Sequence, residues 1–131
     1  MRTGTLALVL CSTAFAAAAI RDTPGALVFE PNRGQAGSSA PFAARGDGIS
    51  ASLSAREASV WLDRSEVRLR FEGADPKAAG EALEPSGSVS SYFLGSNRES
   101  WIRGVPNYRR VKFTGIYKGV DIEYYADGAR L

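Results

Sequence analysis

The chain has 131 residues, with 16 basic and 14 acidic side chains, one Cys and no His. That length suits one domain rather than two. Without His the chain lacks the commonest general base and the commonest transition-metal ligand, so a Ser-His-Asp triad is excluded and only hard, oxygen-ligated ions such as calcium stay open.

The first 19 residues are unlike the rest. Arg2 is their only charge, and an uncharged run rich in Leu and Ala extends from Thr5 to the small residues Ala16–Ala19. A basic start, a short apolar run and a small-residue end predict a secretory signal peptide cleaved near Ala19. The run is shorter than the ~20 apolar residues that span a bilayer. Cys11 follows Leu10 rather than the small residue that lipidation favours, so a lipid anchor is not expected. Residues 20–131 are then the mature domain, secreted or held at the cell surface, with no transmembrane segment. It has no Cys, hence no disulfide and no thiolate metal site. With Arg2 gone, 15 basic side chains face 14 acidic ones, which offers no electrostatic case for nucleic acid.

The mature sequence reads as a series of short strands. Leu27 to Phe29 is the first, and it runs into the turn-rich segment Glu30-Pro31-Asn32-Arg33-Gly34-Gln35. Phe42 to Arg45 and Ile49 to Leu53 flank Gly46-Asp47-Gly48, the signature of a hairpin. Ala58 to Leu62 and Val67 to Phe71 form the next pair, around Asp63-Arg64-Ser65. Val67, Leu69 and Phe71 alternate with Arg68, Arg70 and Glu72, which predicts one buried and one wet face. Gly73 to Ser90 is expected to be loop with at most one helical turn, opened by Asp75-Pro76, interrupted by Gly80 and ended by Pro85. Tyr92 to Leu94 reads as a short strand and Asn97 to Ser100 as a turn. Tyr108 to Phe113 and Val120 to Tyr125 are strands, followed by a turn at Ala126-Asp127-Gly128 and the start of another strand at Arg130-Leu131.

Strands at about ten-residue spacing predict an all-β fold, an antiparallel β-sandwich-like domain. Val120, Ile122 and Tyr124 form an apolar face that wants a partner strand after the Asp127-Gly128 turn. Only the first residues of that strand are present, so the domain is expected to be incomplete at its C-terminus, a fragment of a longer protein.

No catalytic, metal or cofactor site is expected. Asp121 and Glu123 alternate onto one strand face, the spacing of paired carboxylates, yet Arg109, Arg110 and Lys112 beside them predict an ordinary solvated face. Asp47, Asp63, Asp75 and Asp127 stand in separate turns, none with the spacing of a calcium loop. Arg68, Arg70, Arg109, Arg110 and Lys112 are expected to form a mixed-charge surface. Asn32, Gly34 and Gln35 are expected to build a structural turn. Among Trp101, Tyr108, Tyr117, Tyr124 and Tyr125, core packing is the leading expectation. A sugar-stacking platform is the alternative, with Trp101, Tyr117 and Tyr125 as its ligand-binding residues.

Several phrases bring a family into view. Phe29-Glu30-Pro31-Asn32-Arg33-Gly34-Gln35, Phe42-Ala43-Ala44-Arg45-Gly46-Asp47-Gly48 and Ser91-Tyr92-Phe93-Leu94-Gly95 come first. Trp101, Val105-Pro106-Asn107-Tyr108, Ile116-Tyr117, Gly119-Val120-Asp121 and Tyr124-Tyr125 follow in the same order and spacing. From about Leu27 onward the chain resembles the N-terminal domain, of unknown function, of bacterial SBBP-repeat proteins, the secreted β-propeller repeat proteins. It departs at Lys118, where that family often has Pro, and at Phe113, where it often has Tyr. The resemblance implies further strands and propeller repeats downstream, as the partners of a non-enzymatic module. It transfers no binding residues. The expected role is structural or adhesive, in contact with other domains, glycans or cell-envelope material; a carbohydrate-binding module is the runner-up.

Overall fold

The computed structural model describes residues 26–127 and 131. The leader expected over 1–19, the turn at Gly128 and the strand start at Arg130 lie outside the described residues. Among the described residues the strands are β1 (Val28–Pro31), β2 (Phe42–Gly46), β3 (Ile49–Leu53), β4 (Glu57–Leu62), β5 (Ser65–Arg70), β6 (Gly80–Tyr92), β7 (Ile102–Tyr117) and β8 (Val120–Tyr125). A short 3-10 helix at Arg98–Ser100 is capped by the Asn97 side chain, which accepts from the Glu99 amide.

The expected all-β, antiparallel character holds, and the strands belong to one hydrogen-bonded sheet curled into a half-barrel. Its order is β5-β4-β3-β2-β1-β7-β6, with β8 also paired to β7. The hairpins follow the turn chemistry of the sequence. Gly48 closes β2–β3 at φ +70°, and Asp63 closes β4–β5 at φ +53°, a left-handed position that Asp tolerates better than most residues.

Register sorts the two faces. Phe42, Leu53, Ala58 and Leu69 lie opposite one another across β2 to β5, as do Ala44, Ala51, Val60 and Val67. These rows face the core, where Leu53 and Ala58 are fully buried. The alternate rows are polar: Arg45, Ser50, Trp61 and Glu66 in one, Ala43, Ser52, Ser59 and Arg68 in the next. A period of two thus sends small hydroxyls and charges to one face and apolar groups to the other. The core-facing rows thin out at the sheet edge, leaving Leu62, Val67 and Leu69 45–52% exposed.

The long strand β7 organises the remainder. Its residues near 108–113 pair with β6 on one edge, so β1 (Phe29 opposite Tyr108) and β8 (Tyr125 opposite Arg110) share the other edge. Tyr108 and Val111 both border the core although three residues apart, so the strand coils between them. That coil swings Phe113 over the sheet onto Phe42, ring centroids 5.8 Å apart and edge to face, and Tyr124 of β8 packs on Phe113 in the same way at 6.2 Å.

The stretch from Gly73 to Leu94 departs from the sequence reading, and the short strand expected at Tyr92–Leu94 is only the end of β6, which stops at Tyr92. Loop was expected from Gly73 to Ser90, but β6 runs from Gly80 to Tyr92. Pro85 and Gly87 suggested a break, yet β6 is an edge strand, where a Pro has no ladder donor to lose. Its irregularity is absorbed by register shifts between Pro85 and Val89 and between Ser90 and Tyr92, with Glu84 at φ +57° and Gly87 at φ +83°. Likewise β7 is longer than the expected Tyr108–Phe113, because Gly104 and Gly115 bend the strand without ending it.

Gly80 has a packing reason. A Cβ there would lie 2.7 Å from ring atoms of both Phe113 and Phe42. Two rings already held by neighbouring walls have little room to retreat, so Gly80→Ala is expected to destabilise the fold by about 2 kcal/mol, read as a lower urea midpoint at unchanged slope.

Candidate functional site

The chain's most exposed aromatic cluster stands at the tip of the β6–β7 hairpin. Phe93 and Leu94 are 61% and 51% exposed. Trp101 packs edge to face on Phe93 at 5.0 Å. Its indole N–H donates to the Gly95 carbonyl at 3.1 Å, which fixes the ring against its own loop. The Arg103 guanidinium lies over both rings, 5.6 Å from Phe93 and 5.0 Å from Trp101, and Arg98 lies 5.6 Å from Trp101. Cations over an aromatic ring are attracted to its electron-rich face. The Trp101 face is therefore occupied, and the tip presents an apolar pair framed by two cations.

The other two aromatics singled out by sequence are not beside it. Tyr117 ends β7, is half-buried, and donates to the Glu72 carbonyl at 2.6 Å. Tyr125 is 59% exposed, with the Arg110 guanidinium 5.9 Å from its ring centre. Trp101 just precedes β7, Tyr125 pairs with Arg110 and Tyr117 closes the strand; at ~3.3 Å per residue they are spread over roughly 50 Å of strand length. The structure does not bring Trp101, Tyr117 and Tyr125 onto one platform. Tyr124 is buried against Phe113, its hydroxyl without a partner among the described residues, and burial pushes its phenol up to about 12.

Asp121 and Glu123 are each held by a cation of β7. Lys112 sits 3.0 Å from Asp121, and Arg110 sits 2.8 Å from Glu123 and 2.9 Å from Glu84. The Gly115 amide donates to Asp121 at 2.8 Å and, with Lys112, lowers its carboxyl below the usual range. Glu57 is lowered in the same sense by Arg70 and Arg68. Among the described residues, no three His, Cys, Asp or Glu side chains gather as a metal ion would require, and no helix is long and apolar enough to cross a membrane.

The segment after β1 is a knot of side-chain hydrogen bonds. Asn32 donates to the carbonyls of Ser38 at 2.8 Å and Ala40 at 2.7 Å, and accepts from the amides of Gly34 at 2.9 Å and Ala36 at 3.3 Å. Gln35 donates to the Pro31 carbonyl at 2.8 Å and accepts from the Arg33 amide at 2.6 Å. The loop so locked returns over the polar face, where Ser38 meets Ser52 at 3.0 Å.

A buried polar cluster was not anticipated from the sequence. Glu30 is fully buried on β1, opposite in facing to Phe29. Tyr92 of β6 donates its hydroxyl to Glu30 Oε1 at 2.5 Å, while Oε2 is buried without a partner among the described residues. Arg45 lies 4.5 Å over the Tyr92 ring. Alongside, buried Asn107 accepts from Ser90 at 3.0 Å and donates to Ser88 at 3.1 Å. Burial and the bond to Glu30 push the Tyr92 phenol up to about 12. Tyr92 and Tyr124 should therefore ionise late, visible as two phenols missing from the absorbance titration near pH 10. Because the folded protein keeps these protons after the unfolded chain has lost them, stability falls as pH rises from about 10 to about 12.

No curated protein and no solved structure matches the chain. The profile of one protein family does, over residues 29–131, which takes in every strand described above but the first residue of β1. The chain belongs to that family, described as a domain of unknown function (DUF7948).

Proposed function

We propose that this domain is a non-enzymatic structural or adhesive module at the N-terminus of an exported, secreted or cell-surface protein. In that reading it makes contact through the β6–β7 hairpin tip. The observation that carries it is the exposure of Phe93 and Leu94, 61% and 51%, beside a Trp101 fixed by its own loop and two arginines. An ordered exposed apolar pair with a cationic rim is a surface suited to be covered by a partner. The resemblance to SBBP-repeat proteins makes the downstream propeller repeats one such partner, and cell-envelope material another.

The test is sedimentation of the chain with a bacterial cell-envelope preparation. The chain is expected to pellet, and Phe93→Ser with Leu94→Ser should weaken that association about tenfold, or ~1.4 kcal/mol. Release of soluble sugars or peptides from the preparation would overturn the non-enzymatic reading. A second reading, carbohydrate binding, is favoured by the exposed ring of Tyr125 and by the second tryptophan, Trp61, on the polar face of the sheet.

A further inference from the structure

We infer that the polar outer face of β2–β5 is a binding site for neutral glycans, centred on Trp61. The proposal rests on the adhesive reading and names a ligand class for it, at a place distinct from the hairpin tip.

Trp61 lies on β4, directly opposite Ser50 of β3 and Glu66 of β5. It is 36% exposed, and its indole makes no hydrogen bond, ring contact or cation contact with another described residue. That separates it from Trp101, whose N–H and ring face are both engaged. Around Trp61 the sheet is floored by small side chains, since Ser50, Ser52, Ser59 and Ala43 occupy the neighbouring positions of the same face. Small floor residues next to one bulky ring leave hollows on either side of it. One, of about 300 Å³, runs toward Gln35 and Arg45. A second, of about 310 Å³, runs toward Ser54, Glu57 and Arg68. A third, of about 390 Å³, continues past Arg45 to Asp63. Each falls at the small end of the range for small-molecule sites, ~300–1,000 Å³, and Trp61 lines all three.

The chemistry of these walls selects the ligand. A pyranose has one face of C–H groups and a rim of hydroxyls. It needs an aromatic plane to lie on and fixed donors and acceptors around it. Trp61 supplies the plane, with an amphipathic ring suited to a half-wet position. The rim is held in place beforehand: Arg68 lies 2.6 Å from Glu66 and 3.5 Å from Glu57, and Arg70 lies 2.9 Å from Glu57. Arg45, Arg68 and Arg70 are matched by Glu57, Glu66 and Asp63 around these hollows, so the site carries no excess of either sign. That favours a neutral polysaccharide over an anionic one. Beside Trp61 a peptide strand finds no free edge, because β3 and β4 are paired on both sides and the unpaired edge lies one strand away at β5. Consecutive hollows on both sides of one ring suit a chain of sugars rather than a single one.

The test is a glycan array spanning neutral plant, fungal and bacterial polysaccharides, probed with the whole chain and followed by calorimetric titration of the oligosaccharides retained. The wild-type chain is expected to retain at least one neutral glycan. Trp61→Ala should weaken it by at least about tenfold with the melting curve unchanged. Ser50→Leu, which fills the floor beside an intact Trp61, should weaken it comparably, and it decides alone if Trp61→Ala alters the melting curve. The proposal is overturned if the array retains no neutral glycan, or if both variants bind as the wild type does. Envelope sedimentation lost in the Phe93→Ser, Leu94→Ser variant but kept in Trp61→Ala would leave the hairpin-tip reading standing whatever the array shows.

Discussion

Tyr92→Phe is expected to destabilise the domain by about 3 kcal/mol. The substitution removes one hydroxyl, and among the described residues that hydroxyl is the one side-chain partner of Glu30: Oε1 accepts it at 2.5 Å and Oε2 is buried with none. Losing it leaves a fully buried carboxyl with both oxygens unserved. Stripping a buried polar group of its partner costs ~1–3 kcal/mol, and more where charge is involved. The bond also ties β1 to β6 across β7, because Glu30 and Tyr92 belong to strands that do not pair with each other. The pair can be told apart from a mere packing effect. Replacing both groups by apolar ones of similar shape, Tyr92→Phe with Glu30→Met, removes the unmet demand together with its source and should return the urea midpoint to within about 1 kcal/mol of the wild type. A Tyr92→Phe variant with a wild-type midpoint would show that Glu30 finds another partner. The same variant should remove one of the two late phenols from the alkaline titration.

This cluster also marks what the sequence made legible and what it did not. Strand alternation located strands where apolar and polar residues alternate: β3 and β8 begin and end at Ile49–Leu53 and Val120–Tyr125, as expected, but β5, expected to bury one face, is exposed on both because it ends the sheet. It failed for β6, whose Pro85, Gly87 and serines resemble a loop because bulges in an edge strand break the period of two. Glu30 escaped notice for a different reason. It stands between Phe29 and Pro31, where a charge is expected outside, and only the arrival of Tyr92 from a distant strand buries it. Trp61 was readable in principle. In Ala58–Leu62 it alternates with Ala58 and Val60 and so falls on the polar face, but a lone ring in a short strand is a weaker signal than the aromatic density of Trp101–Tyr125. The curl of the sheet was beyond local pattern, since alternation says which face is wet and not how far a sheet bends. Phe113 meeting Phe42, strands apart in ladder order, is a consequence of the coil in β7.

Asn32→Ala is expected to cost about 3 kcal/mol and to loosen the loop over the polar face. One side chain here satisfies two carbonyls and two amides, those of Ser38, Ala40, Gly34 and Ala36. At ~1 kcal/mol net per hydrogen bond the four would reach ~4 kcal/mol, less because the bond to Ala36 is long at 3.3 Å and those to Ser38 and Gly34 are exposed, and the truncated Ala offers none of them. The half-isosteric variants separate the contributions. Asn32→Asp keeps the acceptor for Gly34 and Ala36 but loses the two donated bonds and sets a carboxyl against two carbonyls, so it should be at least as destabilising as Asn32→Ala. Because Ser38 reaches Ser52 from this loop, release of the loop uncovers the floor that Ser52 and Ser59 share with Trp61. Amide hydrogen exchange should then accelerate from Arg33 to Ala40 and leave the β7–β8 ladder protected. Exchange that rises equally in β8 would mean that the loop is coupled to the whole sheet rather than laid upon it. A loop held by Asn32 and Gln35 thus shapes one wall of the Trp61 face, and the stability of that wall can be measured apart from the stability of the sheet beneath it.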